Sequence, residues 1–377
     1  MNGLSYIKRI LKDRLYNKKK QAYLKSYNEI FKLHPELNKS AYYEKEWLEK
    51  WKKYDSSIKP FSYRIFSRYI GSDINIIPLE LLPTLYEPIL TPGQFLNYYN
   101  DKNCLDKIIP SSFSPIVYLR NINNIFYDGN YNFLDRRIVD SYLDSLTDVD
   151  ILIVKPSVSR GGANVKKFYK ESNQFIDKKQ NVLSSDYLKK AYGCDYIIEE
   201  CIRQSDNTAI FNKSSVNTIR IATFRDSNGI IHPLRAFLRI GVKGQDVDNT
   251  HAGGMACGIN DEGYLGKYVC DLLGNTSSIF NEIDFSKTRK FENFCSIKEF
   301  AAKVSSYILH HNLVALDVAL NQDNTPKILE INIGGFSGWG YQFNSGSVFG
   351  EFTDDITEYC YKENHKVTIE SLLKYKG

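Results

Sequence analysis

The chain has 377 residues, 42% hydrophobic and 25% charged, the balance of a folded globular protein and not of a disordered one. Its 49 Lys and Arg against 44 Asp and Glu leave a formal charge of +5, too small an excess to point to nucleic acid. The 7 cysteines are scattered, without a CxxC pair or Cys/His spacing, which argues against a disulfide framework or a zinc site.

The length allows two or three domains. No apolar run approaches the roughly 20 residues that span a bilayer, and a signal-peptide core is lacking, so the cytoplasm is the expected compartment. Residues 1–60 read as a helical N-terminal region. In MNGLSYIKRILKDRLYNKKK, Leu4, Ile7, Leu11 and Leu15 share one helical face, with Lys8, Arg9, Lys12 and Arg14 around it. Such a helix can lie peripherally on the inner, anionic face of a membrane. Alternatively it packs its stripe on its own protein and solvates the basic face; apolar stripes more often mark core, and that is the expectation adopted. Residues 61–150, broken by Pro60, Pro78, Pro83, Pro88, Pro92, Pro110 and Pro115, read as an N-terminal α/β subdomain, with SPIVYLRNINNIFYD a strand and hairpin.

From 151 the α+β pattern becomes denser. DVDILIVKP is a strand ending in Lys155, and SVSRGGANV is a loop with Arg160, Gly161 and Gly162. Glycines there let backbone N–H groups turn toward an anion, and the lysine ammonium is a natural phosphate contact. YIIEECIRQ is a strand in which Glu199 and Glu200 point to opposite sides, leaving the backbone of Cys201 and Ile202 for a ligand edge. Arg220 and Arg239 lie on two long strands joined by a Ser-Asn-Gly turn, and inward-facing guanidiniums need anions. DNTHAGGMACGI supplies Asn249, Gly253 and Gly254, another place where backbone meets a phosphate oxygen. His310 and His311 are expected at the end of an amphipathic helix, where a cation suits the dipole.

VALDVALNQDNTPKILEINIGG reads as a β-hairpin with an awkward feature. If Leu320 faces Lys327, then Asp317 faces Glu330 and Ala315 faces Asn332. Like charges directly opposite on a sheet are destabilising, so something positive has to compensate. Taken singly, these pieces also have ordinary readings: a strand-end lysine, a turn, a structural ion pair between Arg220 and Asp317 or Glu330. No GxxxxGK[ST], GxGxxG or GxSxG motif is present.

Taken in order, the strand-end lysine, glycine loop, Glu-Glu strand, paired arginine strands and Asp…Glu-x-Asn hairpin resemble the ATP-grasp superfamily. More narrowly they are similar to its sugar-transfer-associated group, sometimes labelled hexapeptide transferase family proteins, over roughly 85–340. EPIL…DKN, YLRNINNIFYD, VKPSVSRGGANV, IIEECIRQ, SVNTIRIATF, LRIG…VDNTHAGGMACGI and LEINIGGF carry the likeness. The resemblance implies an α+β ATP-grasp fold, two subdomains clasping ATP after the N-terminal helices, with 151–205 as lid and 206–377 as core with the metal site. It implies Lys155 on the α/β phosphates, loop 159–164 closing over them, and Glu199 to Ile202 holding adenine, with Glu200 or a nearby polar residue on the ribose. Asp317, Glu330 and Asn332 would hold magnesium, Arg220 and Arg239 an acyl phosphate, and Trp339 and Tyr341 either a sugar face or core. A second phosphate-binding cation is expected among Lys102, Lys107 and Arg120.

The activity so implied is an ATP- and Mg²⁺-dependent carboxylate–amine ligase working through an acyl phosphate. Its expected substrates are a uronic acid or similar carboxylate of a bacterial surface polysaccharide or its precursor, and an amino acid or amine. The alternatives are a kinase for a sugar-like hydroxyl and a non-catalytic nucleotide-binding factor docked on a membrane glycan assembly. No nucleic-acid partner is expected, and oligomeric state is not readable.

Overall fold

The computed structural model describes all residues except 1–2, 160–161, 163, 246–252 and 375–377. Runs rich in Ile, Val and aromatic residues give β1 (Val117–Ile122), β2 (Ile125–Asp128), β3 (Phe133–Leu134), β4 (Ile151–Pro156), β5 (Lys166–Glu171), β6 (Gln174–Ile176) and β7 (Tyr196–Glu200). They form one seven-stranded sheet in the order β3-β2-β1-β7-β4-β5-β6, antiparallel throughout. Leu119, Leu152, Val154, Phe168 and Ile198 pack against Val139, Leu143 and Leu188 of its helices. The sheet crosses the 150/151 boundary expected from the sequence, because β1 pairs with β7. Such a non-local pairing leaves no trace in local periodicity. The α/β character expected for 61–150 is confined to its second half; residues 61–113 form helices and helical turns.

β8 (Thr218–Arg225), β9 (Ile231–Ile240), β10 (Met255–Ile259), β11 (Val269–Cys270) and β12 (Thr276–Ser277) begin a second sheet. A small ribbon of β13 (Ile279–Phe280) and β14 (Ile283–Asp284) intervenes, and β15 (Leu313–Leu320) and β16 (Pro326–Asn332) complete the sheet. Its order is β12-β11-β10-β9-β8-β15-β16, again antiparallel. All of β15 is buried, whereas alternation suggested a half-buried strand. Both faces are covered. The helix Phe294–Ser306 packs Ile297, Ala301 and Val304 on Ile219, Val314 and Leu316. The other face, with Ala222, Phe224, Phe237, Leu313 and Ala315, packs on a helical layer. That layer includes α1 (Gly3–Leu33), α2 (Glu44–Trp51) and α3 (Phe61–Ile70), which contribute Tyr27, Trp47, Trp51 and Phe66.

The expected core stripe of α1 is corrected. Ile7 and Leu11 are 55% and 44% exposed, and burial begins only at Lys19, Lys20, Tyr27, Ile30 and Phe31. Periodicity identifies a stripe but not the side on which the body of the protein lies. The histidine expectation also changes. His310 stacks on Phe95 with ring centroids 4.1 Å apart. His311 is buried, with no hydrogen-bond partner for either ring nitrogen. Burial, and then the nearby His310 charge, push its pKa down to about 4, so it is a neutral core residue and not a capping cation. Among the described residues no helix is long and apolar enough to cross a membrane.

Candidate active site

Strand periodicity sets the polar row of the second sheet. Two residues along from Ala315, Ala222 and Phe237, on the face that packs against helices, come Asp317, Arg220 and Arg239. There the apolar cover gives way to a cleft of about 830 Å³, including space open to solvent, between the second sheet and the first. Its lining includes Lys155, Glu199, Glu200 and Ile202 from the first sheet and its exit, and Arg239, Asp317 and Glu330 from the second.

The hairpin register answers the charge question. Asp317 pairs with Glu330 and Ala315 with Asn332, as the sequence suggests. At the turn end Leu320 faces Pro326, not Lys327, because the register shifts beside Asp317. The residue left out of pairing is Leu329, which lines the cleft; a bulge re-aims a side chain in this way beside functional sites.

Compensation comes from three cations. Arg220 grips Asp317 with two bonds, Nε to Oδ1 and Nη2 to Oδ2 (the latter 2.8 Å), and Arg239 Nη1 donates to Oδ2 at 2.9 Å. Lys102 Nζ donates to Glu330 Oε1 at 3.0 Å. Burial alone pushes the Asp317 carboxyl upward, but the guanidiniums of Arg220 and Arg239 override it and hold the group below the usual carboxylate range. On the opposite wall Lys155 is ion-paired with Glu199, both side chains nearly buried. Lys167 donates to the Ser214 carbonyl at 2.5 Å, and Glu200 Oε1 accepts from the Ile116 amide at 3.0 Å.

Of the three cations left open by the sequence, Lys102 lines the cleft. Its amide donates to the Ser157 carbonyl at 2.9 Å, while its amine reaches Glu330, so it joins the loop after β4 to β16. Arg120 is fully buried, bonded to Asn103 and Asp106, and Lys107 sits over the Tyr131 ring at 4.1 Å.

Several expectations are corrected. Arg220 is held behind Asp317 and does not line the cleft, so its geometry suits positioning Asp317 and not contact with a reacting group. Gly253 and Gly254 lead into β10 and are not part of the lining. Tyr341 is fully buried, and Trp339 packs on Tyr27 and Phe66 at 5.3 and 5.5 Å; both are core aromatics, not a sugar platform. Gly162 lines the cleft with φ +67°, whereas Arg160, Gly161 and Asn249 lie outside the described residues. Sequence reasoning missed the apolar walls Ile153, Val216 and Leu329. Each looks like any strand residue, and only the spacing of the two sheets makes a slot of them.

The donor set fits a small hard cation. Among the described residues no group of three or more His, Cys, Asp or Glu could hold a metal ion. Asp317 and Glu330 nevertheless bring carboxylate oxygens into one cleft, and Asn332, which is not part of that lining, donates its amide to Asp317 Oδ2 at 3.4 Å. Mg²⁺ takes one or two carboxylates and shares the rest of its shell with phosphate oxygens and water. The lining thus combines apolar walls, cations for polyanionic charge and hard oxygens for a divalent ion.

A family model described as sugar-transfer associated ATP-grasp matches residues 130–354. No curated protein matches the sequence. Among solved structures, D-cycloserine synthetase DcsG shares 11% identity over 73% of each chain, with a TM-score of 0.42. D-alanine-D-alanine ligase from Coxiella burnetii shares 12% identity over 71% of this chain and 59% of its own, with a TM-score of 0.39. L-amino acid ligase from Bacillus licheniformis shares 14% over 65% of this chain and 43% of its own, with a TM-score of 0.33. The chain therefore spans less than two thirds of the length of the latter two.

Proposed function

The chain belongs to the sugar-transfer associated ATP-grasp family, and from that premise we propose that it is an ATP- and Mg²⁺-dependent ligase joining a carboxylate to an amine. The observation that carries the reading is the cleft between the sheets, where Lys102, Lys155 and Arg239 stand among Asp317, Glu330 and Glu199. Ile153, Ile202 and Leu329 offer a slot for a flat base, with the backbone of Cys201 and Ile202 at its edge and Glu200 near the ribose. Lys155 and Lys102 neutralise phosphate oxygens, with Ser159 and Gly162 of the following loop beside them.

Asp317, Glu330 and Asn332 hold Mg²⁺, which when bound neutralises phosphate charge and polarises the transferring phosphoryl group. Arg220 fixes Asp317 for that role. Arg239 shares its guanidinium with Asp317 and faces the cleft, where it stabilises the developing oxyanion. A substrate carboxylate oxygen attacks the γ-phosphorus and ADP leaves. The amine then attacks the acyl carbon, phosphate departs, and the nitrogen loses a proton to give the amide. The family's association with sugar transfer supports a uronic acid of a surface polysaccharide or its precursor as the carboxylate.

To test this, the protein is incubated with ATP, Mg²⁺, candidate uronates and amines, and ADP and amide are measured. ADP release that needs both substrates and matches amide formation is expected. Stable phosphorylated acceptor formed without amine would establish a kinase instead, and no ADP with any pair counts against both.

A further inference from the structure

The first half of α1 carries a feature that the ligase reading does not use. Lys8, Arg9, Lys12, Arg14 and Lys18 stand in this stretch against Asp13, whereas Lys19 and Lys20 after them are buried, Lys20 on Asp55. At about 100° per residue, Ile7 and Leu11 lie roughly 160–200° around the helix from Tyr27. Tyr27 is fully buried against the protein, while Ile7 and Leu11 are 55% and 44% exposed. Ile7 and Leu11 thus face away from the body, with exposed Lys8, Arg9, Arg14 and Lys18 along and beside them.

We propose that this half-helix docks the protein on an anionic phospholipid bilayer, inserting Ile7 and Leu11 between headgroups while the basic side chains reach lipid phosphates. A basic helix with an outward apolar stripe is the chemistry of interfacial anchoring, and each Lys or Arg near an anionic surface adds to the attraction. The same charge disfavours a second copy as the occupant, since the cations of one helix would face those of the other. A nucleic acid would use the cations but has no need of the isoleucine and leucine. The inference stands on charge and exposure in α1, independently of the chemistry in the cleft.

The test is co-sedimentation of the full chain with sucrose-loaded vesicles of phosphatidylcholine alone or mixed equally with phosphatidylglycerol. Retention at least about tenfold stronger on the anionic vesicles, and falling with added salt, is expected. The Ile7→Glu/Leu11→Glu double variant should lose about tenfold or more of that binding, and Lys8→Glu/Arg9→Glu should do likewise. All four positions are exposed, so the circular dichroism spectrum, melting temperature and ADP binding of both variants should match the parent and exclude misfolding as the cause. Equal retention on both vesicle types, or unaltered binding by Ile7→Glu/Leu11→Glu, would overturn the proposal. So would light scattering that shows a dimer dispersed by Ile7→Glu/Leu11→Glu, or an oligonucleotide that binds parent and Ile7→Glu/Leu11→Glu alike at the affinity seen for vesicles.

Discussion

Replacing Asp317 by Asn and Glu330 by Gln removes one negative charge each from the same corner of the cleft, and the two should differ sharply in stability. The Asp317 side chain is 4% exposed and serves both Arg220 and Arg239. Neutralising it removes the negative charge that offsets two nearly buried guanidiniums, at a cost of about 3–5 kcal/mol. Glu330 is 25% exposed and, among the described residues, is ion-paired with Lys102, and a glutamine oxygen still accepts that bond, so the expected loss is about 1 kcal/mol after allowance for solvent screening. At roughly 2–4 °C per kcal/mol for a domain of this size, melting without nucleotide should fall by about 10 °C for Asp317→Asn and about 3 °C for Glu330→Gln. ADP release should nevertheless fall in both, by about a hundredfold or more, because in the proposed site each carboxylate supplies oxygen to Mg²⁺. Thermal melts read by intrinsic fluorescence give the first quantity and a coupled ADP assay the second. Equal melting temperatures, or full turnover in Glu330→Gln, would refute the division into a braced carboxylate and an exchangeable one.

Lys102→Met should weaken ADP binding by about 10- to 100-fold in calorimetry, the worth of one charge-assisted phosphate bond, while Lys107→Met, whose amine rests over Tyr131, should bind as the parent. The folded-state pKa of His311 lies well below its unfolded value near 6.5, so its contribution is fully present above pH 6.5 and is lost as pH falls toward about 4. His311→Leu should flatten the fall in melting temperature across that window, by an amount equivalent to at most about 3 kcal/mol. Gly258→Ala should yield little soluble protein, because a β-carbon there would lie 1.9 Å from the Asn344 carbonyl oxygen, and backbone cannot yield as a side-chain tip can.

The sequence brought Asp317, Glu330 and Asn332 to one end of a ribbon because a period of two and a turn rich in Asn and Asp are local signals. It could not show the bulge at Leu329, since a single slipped residue changes no composition. Lys102 was indistinguishable from Lys107 and Arg120 until the short helical turn Lys102–Cys104 came to lie against Ser157, a contact made across 55 residues of chain. The outward stripe of α1 was legible as a pattern, but its direction was not. Arg220 and Arg239 were rightly read as needing anions. That Arg220 is fully engaged by Asp317 follows from the pairing of β8 with β15, where Arg220 sits directly opposite Asp317.

The bond from Lys102 to Glu330 has a consequence for selectivity. A cleft whose acids and bases pair with one another holds little attraction for a bare anion. Inorganic phosphate that takes the lysine leaves the glutamate stranded, and a free divalent ion that takes the glutamate strands the lysine. A ligand carrying both, a polyphosphate with its metal, swaps the two partners at once and leaves nothing unpaired. ATP should therefore bind far more weakly in EDTA than with magnesium, and Glu330→Gln should narrow that gap, an exchange that titration calorimetry can follow directly.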